Sequence, residues 1–136
     1  MENLRKIMPE FKDKRILVIG DVMLDEYVFG EVKRISPEAP VPILKIERRE
    51  YNLGGTANVA SNIVSLSGKA ILLGFIGNDF AGEKIKELAE KTKIDFIYSE
   101  ASKTTIKTRF TSGNQLLRAD DDDTTKKYLP PEKISR

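Results

Sequence analysis

Residues 15–25 read RILVIGDVMLD, and this stretch decides the fold class. Its first part, Ile16 to Ile19, is a compact apolar run that Gly20 and Asp21 terminate. Such a run is typical of a strand buried on both faces, as the strands of parallel sheets are. Ligands of open α/β sheets bind beyond the carboxyl ends of these strands, so the residues after Ile19 are candidates for a binding site.

The segments that follow alternate between helix and strand patterns. Residues 57–67 and 81–92 have the apolar spacing of amphipathic helices, and residues 70–75 and 94–98 are short apolar strands. This alternation predicts a parallel α/β sheet with right-handed crossovers. Asp79 precedes the second helix and is expected to be its N-cap, a structural role.

Two segments depart from this pattern. Residues 27–49 are irregular and contain three prolines, which predicts a flap or a sheet edge rather than a central strand. Residues 104–119 alternate polar and apolar side chains around a Ser-Gly-Asn turn, as a hairpin does. The acidic run 120–123 lacks the spacing of a calcium loop, and we expect it to be solvated. Residues 3–12 have the spacing of a short helix.

Composition restricts the possible chemistry. The chain has 136 residues, 40% of them hydrophobic, and a net charge of +2, which indicates one domain and no nucleic-acid or membrane partner. It has no cysteine and no histidine, so disulfides, zinc fingers, cysteine nucleophiles and Ser-His-Asp triads are excluded. No apolar run is long enough to span a bilayer and the N-terminus lacks the apolar core of a secretory signal, so we expect a cytoplasmic protein.

Asp25 is the first candidate binding residue. A carboxylate beyond a strand end accepts charge-assisted hydrogen bonds from two neighbouring sugar hydroxyls. The alternative is that Asp21 caps a turn and Asp25 is solvated.

A second candidate site is Gly54-Gly55 with Asn58. Paired glycines let a backbone approach a ligand closely, and the helix that follows offers unpaired N–H groups and the amide of Asn58. The alternative is an ordinary glycine entry to a helix. The chain has neither a G-x-G-x-x-G dinucleotide fingerprint nor a Walker A loop.

A third candidate is the set of cations Lys107, Arg109 and Arg118 on the two strands of the hairpin. Cations that converge in this way hold a phosphate. The alternative is a solvated strand face whose charges protect a sheet edge.

Together these motifs resemble the ribokinase-like, or phosphofructokinase-B type, sugar kinases over residues 15–123. Asp25 stands in the place of the family's hydroxyl-binding aspartate, and Gly54, Gly55 and Asn58 follow its N-terminal signature. Thr56 departs from that signature, where a smaller residue is usual. The resemblance implies an α/β fold with a parallel, Rossmann-like core.

The resemblance also implies a small β-lid, made by residues 27–49 and 104–119, that covers the sugar and pairs two subunits in a homodimer. A narrower resemblance is to the heptose 7-phosphate kinases within this family. The stretch RISPEAPVP at residues 34–42 carries it, together with residues 20–25 and 107–120. It implies ATP-dependent phosphorylation of D-glycero-β-D-manno-heptose 7-phosphate at the anomeric hydroxyl, for ADP-heptose synthesis, with Lys107, Arg109 and Arg118 contacting the substrate phosphate.

The family's catalytic aspartate lies in a G-A-G-D anion hole, and no such run occurs in this sequence. By resemblance, that base and the sites for ATP and Mg²⁺ belong to the C-terminal half of the kinase. We therefore expect residues 1–136 to be a truncated, N-terminal sugar-binding half that holds no catalytic base and no metal and is inactive alone. The alternatives are a kinase for another sugar, a non-catalytic sugar-binding or dimerisation module, and a nucleotide-binding Rossmann module.

Overall fold

The computed structural model describes residues 8–12 and 14–124. Within them lie a short 3₁₀ helix (Met8–Phe11), seven strands and two α-helices. The strands are β1 (Arg15–Ile19), β2 (Val22–Ile35), β3 (Pro42–Gly55), β4 (Lys69–Gly77), β5 (Asp95–Ala101), β6 (Thr105–Ser112) and β7 (Asn114–Asp121), and the helices are α1 (Thr56–Ser65) and α2 (Phe80–Lys91). The helix predicted over residues 3–12 falls largely outside the described residues.

The first sheet is parallel, with strand order β1-β4-β5. Its apolar side packs against both helices, and Val18, Leu72 and Ile85 belong to one buried cluster. The predicted buried helix faces are confirmed. Ala57 and Ala60 of α1 are almost fully buried, and so are Ala81, Ile85 and Ala89 of α2. The prediction of a parallel α/β core is therefore confirmed.

The prediction that β1 is buried on both faces is wrong in the described structure. Val18 is 9% exposed, but Leu17 is 55% and Ile19 is 62% exposed. Strand alternation places Leu17 and Ile19 on the face of the sheet opposite the helices. No described element covers β1 on that face, so its apolar side chains contact solvent there.

The second sheet has the order β3-β2-β6-β7. Strands β2 and β3 form an antiparallel hairpin of 14 residues each, and β6 pairs with β2 in parallel. The prediction that residues 27–49 stay out of a central position is wrong for β2, which is an interior strand. It holds for β3, an edge strand that begins at Pro42. Pro37 and Pro40 fall in the connecting loop, so β2 loses no ladder hydrogen bond to a proline.

The two faces of this second sheet have different environments. Leu24 and Leu53 lie on the face that packs against α2 and join the cluster of Ile85. Because successive side chains of a strand point to opposite sides, Asp25 and Tyr27 lie on the other face. We call that second side the polar lid face. It carries Lys107 and Arg109 of β6 and Arg118 and Asp120 of β7.

Asp79 connects the two sheets. Its side chain accepts a hydrogen bond from the Gly82 backbone N–H at 2.8 Å, which confirms the predicted N-cap of α2. It also accepts one from the Thr104 N–H at 2.7 Å, just before β6. The Thr104 hydroxyl in turn accepts from the Gly77 N–H at 2.8 Å, at the end of β4. Burial raises the pKa of Asp79, but the backbone hydrogen bonds from Gly82 and Thr104 outweigh it and hold the pKa below 3.8.

Candidate functional site

The candidate site begins at the turn between β1 and β2. The Asp21 carbonyl accepts hydrogen bonds from both the backbone N–H of Thr56, at 3.1 Å, and its hydroxyl, at 2.9 Å. These bonds join the carboxyl end of β1 to the first residue of α1. Thr56 is the residue that departs from the family signature, and its hydroxyl provides a bond that a smaller residue lacks. No pattern in the sequence predicts this role of Thr56.

Asp25 lies within β2 rather than in a loop. It is in register with Asn52 of β3 and Lys107 of β6, on the polar lid face. Its Oδ1 accepts a hydrogen bond from Nη1 of Arg109 at 2.7 Å, and its side chain is 18% exposed. The alternative of a solvated loop carboxylate is therefore wrong. Asp25 is a largely buried carboxylate with a cationic partner.

Gly54 allows the Asp25 carboxylate to lie against the backbone of β3. A Cβ built on Gly54 would stand 2.9 Å from Cγ of Asp25 and 2.8 Å from Cγ of Met23, too close for either side chain to stay in place. The structure thus brings together Asp25 and the glycine pair that the sequence had placed 29 residues later.

Gly55 has a backbone conformation that side chains disfavour, with φ 56° and ψ −131°. Its Cβ position also collides with the Asp21 carbonyl oxygen. We expect Gly55→Ala to lower the free energy of unfolding by about 2 kcal/mol, measured by urea denaturation with circular dichroism.

Gly113 provides the matched control for that substitution. It also has a positive φ, 72°, but nothing lies within 4 Å of its Cβ position. Gly113→Ala should therefore cost only about 1 kcal/mol, the backbone contribution alone. Equal losses at the two positions would show that the contact with Asp21 is unimportant.

Asn58 lies in the first turn of α1 and is exposed. Its neighbours are Asn52, Ser61 and Lys91, with which it lines a cleft of about 250 Å³ between the two helices and β3. Within the described residues, Asn58 makes no hydrogen bond to Asp25. The predicted site is thus assembled around Asp25 and the glycines, while Asn58 borders the adjoining cleft.

The predicted cations lie on the polar lid face, and each has a carboxylate partner. Nζ of Lys107 is 2.9 Å from a carboxylate oxygen of Asp120, and Nε of Arg118 is 2.9 Å from the other oxygen of the same group. Arg109 pairs with Asp25 instead. The alternative of a merely solvated face is wrong for Lys107 and Arg109, whose side chains are each 21% exposed.

The acidic run is exposed at residues 120–122, as its composition predicts, but Asp120 and Asp121 have cationic partners. Asp120 and Asp121 are part of β7, and Asp121 forms an ion pair with Lys103. The hydrogen bond from Lys107 lowers the pKa of Asp120, and the same bond raises the pKa of Lys107. These acids therefore balance the cations of the lid.

No cluster of three or more metal-ligating side chains occurs in residues 8–12 and 14–124. The carboxylates of Asp120 and Asp121 are bound to lysine and arginine side chains. In this same part of the chain, no helix is long and apolar enough to cross a membrane.

Comparison with protein families decides the membership of the chain. The protein-family model described as pfkB family carbohydrate kinase matches residues 13–134 of this chain. The chain belongs to the pfkB family of carbohydrate kinases. The family resemblance of the sequence motifs is thereby confirmed.

The names of curated relatives are more specific than the family description. The chain is 50% identical over 114 residues to the bifunctional protein HldE of Haemophilus influenzae strain PittEE, a match that covers 82% of this chain and 24% of that protein. It is 49% identical over 109 residues to the D-beta-D-heptose 7-phosphate kinase of Bordetella bronchiseptica, covering 78% of this chain and 35% of that one. The chain thus spans about a quarter to a third of the length of these relatives.

Solved structures confirm the fold. A carbohydrate kinase from Agrobacterium tumefaciens superposes with a TM-score of 0.65 at 22% identity, over 79% of this chain and 35% of that one. A second protein from that organism, described as a putative ribokinase, gives 0.63 at 20% identity, over 90% of this chain and 42% of that one. The predicted ribokinase-like α/β fold is therefore confirmed.

Proposed function

We propose that residues 1–136 form the sugar-binding part of an ATP-dependent kinase that phosphorylates D-glycero-β-D-manno-heptose 7-phosphate at its anomeric hydroxyl. The observation that carries the proposal is the Asp25 carboxylate, packed against Gly54 near the carboxyl end of a parallel sheet. Ligands of open α/β sheets bind at this edge. The 49% identity to a heptose 7-phosphate kinase supports the choice of sugar.

Different residues of the site contact different parts of the acceptor sugar. Asp25 accepts hydrogen bonds from two sugar hydroxyls, and Gly54 lets the Asp25 carboxylate lie against the backbone of β3. Lys107 and Arg118, which share the carboxylate of Asp120, contact the phosphate of the substrate. Asn58 donates or accepts through its amide from the first turn of α1.

Phosphoryl transfer requires the nucleotide, its metal and the acceptor to be aligned together. ATP supplies the phosphoryl group, and Mg²⁺ neutralises its charge. The candidate site described above acts on the acceptor sugar, which it binds and orients.

The test is a chimera in which residues 14–123 replace the matching segment of the Bordetella bronchiseptica kinase. We expect ADP release that depends on D-glycero-D-manno-heptose 7-phosphate. A folded chimera that prefers fructose 6-phosphate would favour a kinase for another sugar. A chimera that binds the heptose phosphate without turnover would favour a non-catalytic sugar-binding module.

We expect the 136-residue chain alone to release no ADP above a blank. The sequence has no G-A-G-D run, and the described residues hold no metal cluster. A coupled assay with ATP, Mg²⁺ and the heptose phosphate measures this. Turnover that depends on the sugar would contradict the prediction and place a catalytic base within this chain.

We further propose that the lid forms a homodimer. Leu117 is 58% exposed and pairs in register with Phe110, and Ile46 is 45% exposed on the arm of the β2–β3 hairpin. A small sheet with such side chains gains stability when a second copy covers them, and two-fold pairing is the commonest symmetry.

Phe110→Lys should convert the chimera from dimer to monomer in light scattering while leaving its circular dichroism unchanged. Phe80→Lys is the matched control, because Phe80 is 65% exposed on α2, outside the lid. It should leave the dimer intact. A chimera that is monomeric at micromolar concentration before any substitution would end the proposal.

A further inference from the structure

The Asp25 carboxylate is confined from two sides. On the β6 side, Nη1 of Arg109 donates a hydrogen bond to Oδ1 at 2.7 Å. On the β3 side, Oδ2 lies 3.0 Å from the position that a Cβ on Gly54 would occupy, so it rests against the backbone there. Rotation of the carboxylate about its Cβ–Cγ bond is therefore limited by Arg109 on one side and by β3 on the other.

Arg109 is itself held in place. Its guanidinium carbon lies 5.2 Å from the centroid of the Tyr27 ring, within cation–π distance. Tyr27 is in register with Arg109 across the parallel β2–β6 pair. Only a fifth of the Arg109 side chain is exposed. The guanidinium thus lies between an aromatic ring and the carboxylate, an arrangement that fixes its position.

The neighbouring cations have a different partner. Arg118 lies directly opposite Arg109 in the β6–β7 register, yet its Nε and Nη2 both bind Asp120 at 2.9 Å. Lys107 binds the same carboxylate at 2.9 Å and also lies 3.5 Å from a carboxylate oxygen of Asp122. Two cations share Asp120, whereas the carboxylate of Asp25 is bound by Arg109. The three cations therefore do not form one uniform anion site.

We propose that Arg109 is a positioning residue for Asp25 and not a ligand of the substrate phosphate. It holds Oδ1 so that the remaining acceptor positions of the carboxylate stay directed to the sugar hydroxyls. This inference rests on the proposed function, in which Asp25 binds those hydroxyls. It changes the role of Arg109 that the family resemblance implies, and leaves Lys107 and Arg118 to contact the phosphate.

The two roles predict different substrate dependence. A ligand of the phosphate strengthens binding of the phosphorylated sugar only. A residue that positions Asp25 acts on recognition of the hydroxyls, which the phosphorylated and the free sugar share. Its effect should also disappear once the Asp25 carboxylate is removed, because residues that act through one another are not additive.

The experiment measures binding to the full 136-residue chain by NMR titration, with D-glycero-D-manno-heptose 7-phosphate and unphosphorylated D-glycero-D-manno-heptose as the two probes. We expect Arg109→Ala to weaken binding of both about tenfold, the worth of one charge-assisted hydrogen bond. Arg109→Lys should recover part of the loss, because only one nitrogen of Arg109 contacts Asp25. The double variant with Asp25→Asn should bind no more weakly than Asp25→Asn alone.

Arg49→Ala is the matched control. Arg49 binds Glu26 at 2.5 Å, so it partners the adjacent carboxylate of β2 but on the opposite face of the sheet. It should leave both affinities unchanged, and circular dichroism checks that each variant is folded. Two outcomes would overturn the role of Arg109 while leaving the proposed function in place. One is a loss confined to the phosphorylated probe, and the other is an equal further loss in the Asp25→Asn background. A wild-type chain that binds neither probe, or an Asp25→Asn variant that binds both normally, would overturn the proposed function and this inference with it.

Discussion

Asp79→Ala is expected to lower the free energy of unfolding by about 3 kcal/mol, the combined worth of an N-cap and one partly buried N–H left without its acceptor. The substitution removes the acceptor for the Gly82 N–H, which begins α2, and for the Thr104 N–H, which precedes β6. The variant therefore lacks the hydrogen bonds of Asp79 that connect the parallel sheet to the start of β6 in the second sheet. Thermal and urea denaturation, followed by circular dichroism, measure the change.

Asp95→Ala is the control, because Asp95 is an exposed carboxylate at the start of β5. Its effect should stay within about 0.5 kcal/mol, as for most surface substitutions. A similar small loss at Asp79 would show that water replaces its two hydrogen bonds without cost.

The ionisation of Asp79 adds a dependence on pH. Its pKa in the folded chain lies below the ordinary value of 3.8, since the hydrogen bonds from Gly82 and Thr104 outweigh burial. A carboxyl with a lowered folded pKa stabilises the fold above its unfolded pKa, and the contribution is lost as the pH falls through the folded value. The difference in stability between the wild type and Asp79→Asn should therefore be full at neutral pH and shrink below about pH 4.

The parallel core was predictable because its signals are local. The apolar spacing of α2 and its cap at Asp79 are set by residues a few positions apart, and the strand at residues 70–75 is a continuous apolar run. Such patterns follow directly from the periodicity of helices and strands. The exposed second face of β1 was not predictable, because an apolar run does not reveal which element covers it.

The arrangement of the lid was not predictable from local pattern. Strand β2 pairs in parallel with β6, some 80 residues later, and this pairing brings Asp25 to Arg109. Both residues were candidates from the sequence, but Asp25 was predicted to bind sugar hydroxyls and Arg109 to contact the substrate phosphate. The spacing of residues gives no signal for the Asp25–Arg109 ion pair, because it joins residues 84 positions apart and depends on the register between two strands.

Asp25→Asn is expected to raise the sugar concentration needed for half-maximal activity of the chimera about ten- to a hundredfold, the loss of a charge-assisted hydrogen bond of 1.5–3 kcal/mol. The amide keeps the shape of the side chain beside Gly54, so packing against β3 is retained. It lacks the negative charge that strengthens the hydrogen bonds from sugar hydroxyls. It also removes the ionic partner of Arg109, whose guanidinium keeps its contact with the Tyr27 ring.

Glu26→Gln isolates this effect, because Glu26 follows Asp25 in β2 and has its own partners on the opposite face. Its carboxylate binds Arg49 and accepts a hydrogen bond from the Thr108 hydroxyl at 2.9 Å. The same chemical change one residue away should therefore leave the kinetics of the sugar unaltered while removing a comparable ion pair. The KM for ATP should stay constant in both variants, since Asp25 contacts only the acceptor. Equal sugar kinetics for Asp25→Asn and Glu26→Gln would remove Asp25 from the binding site.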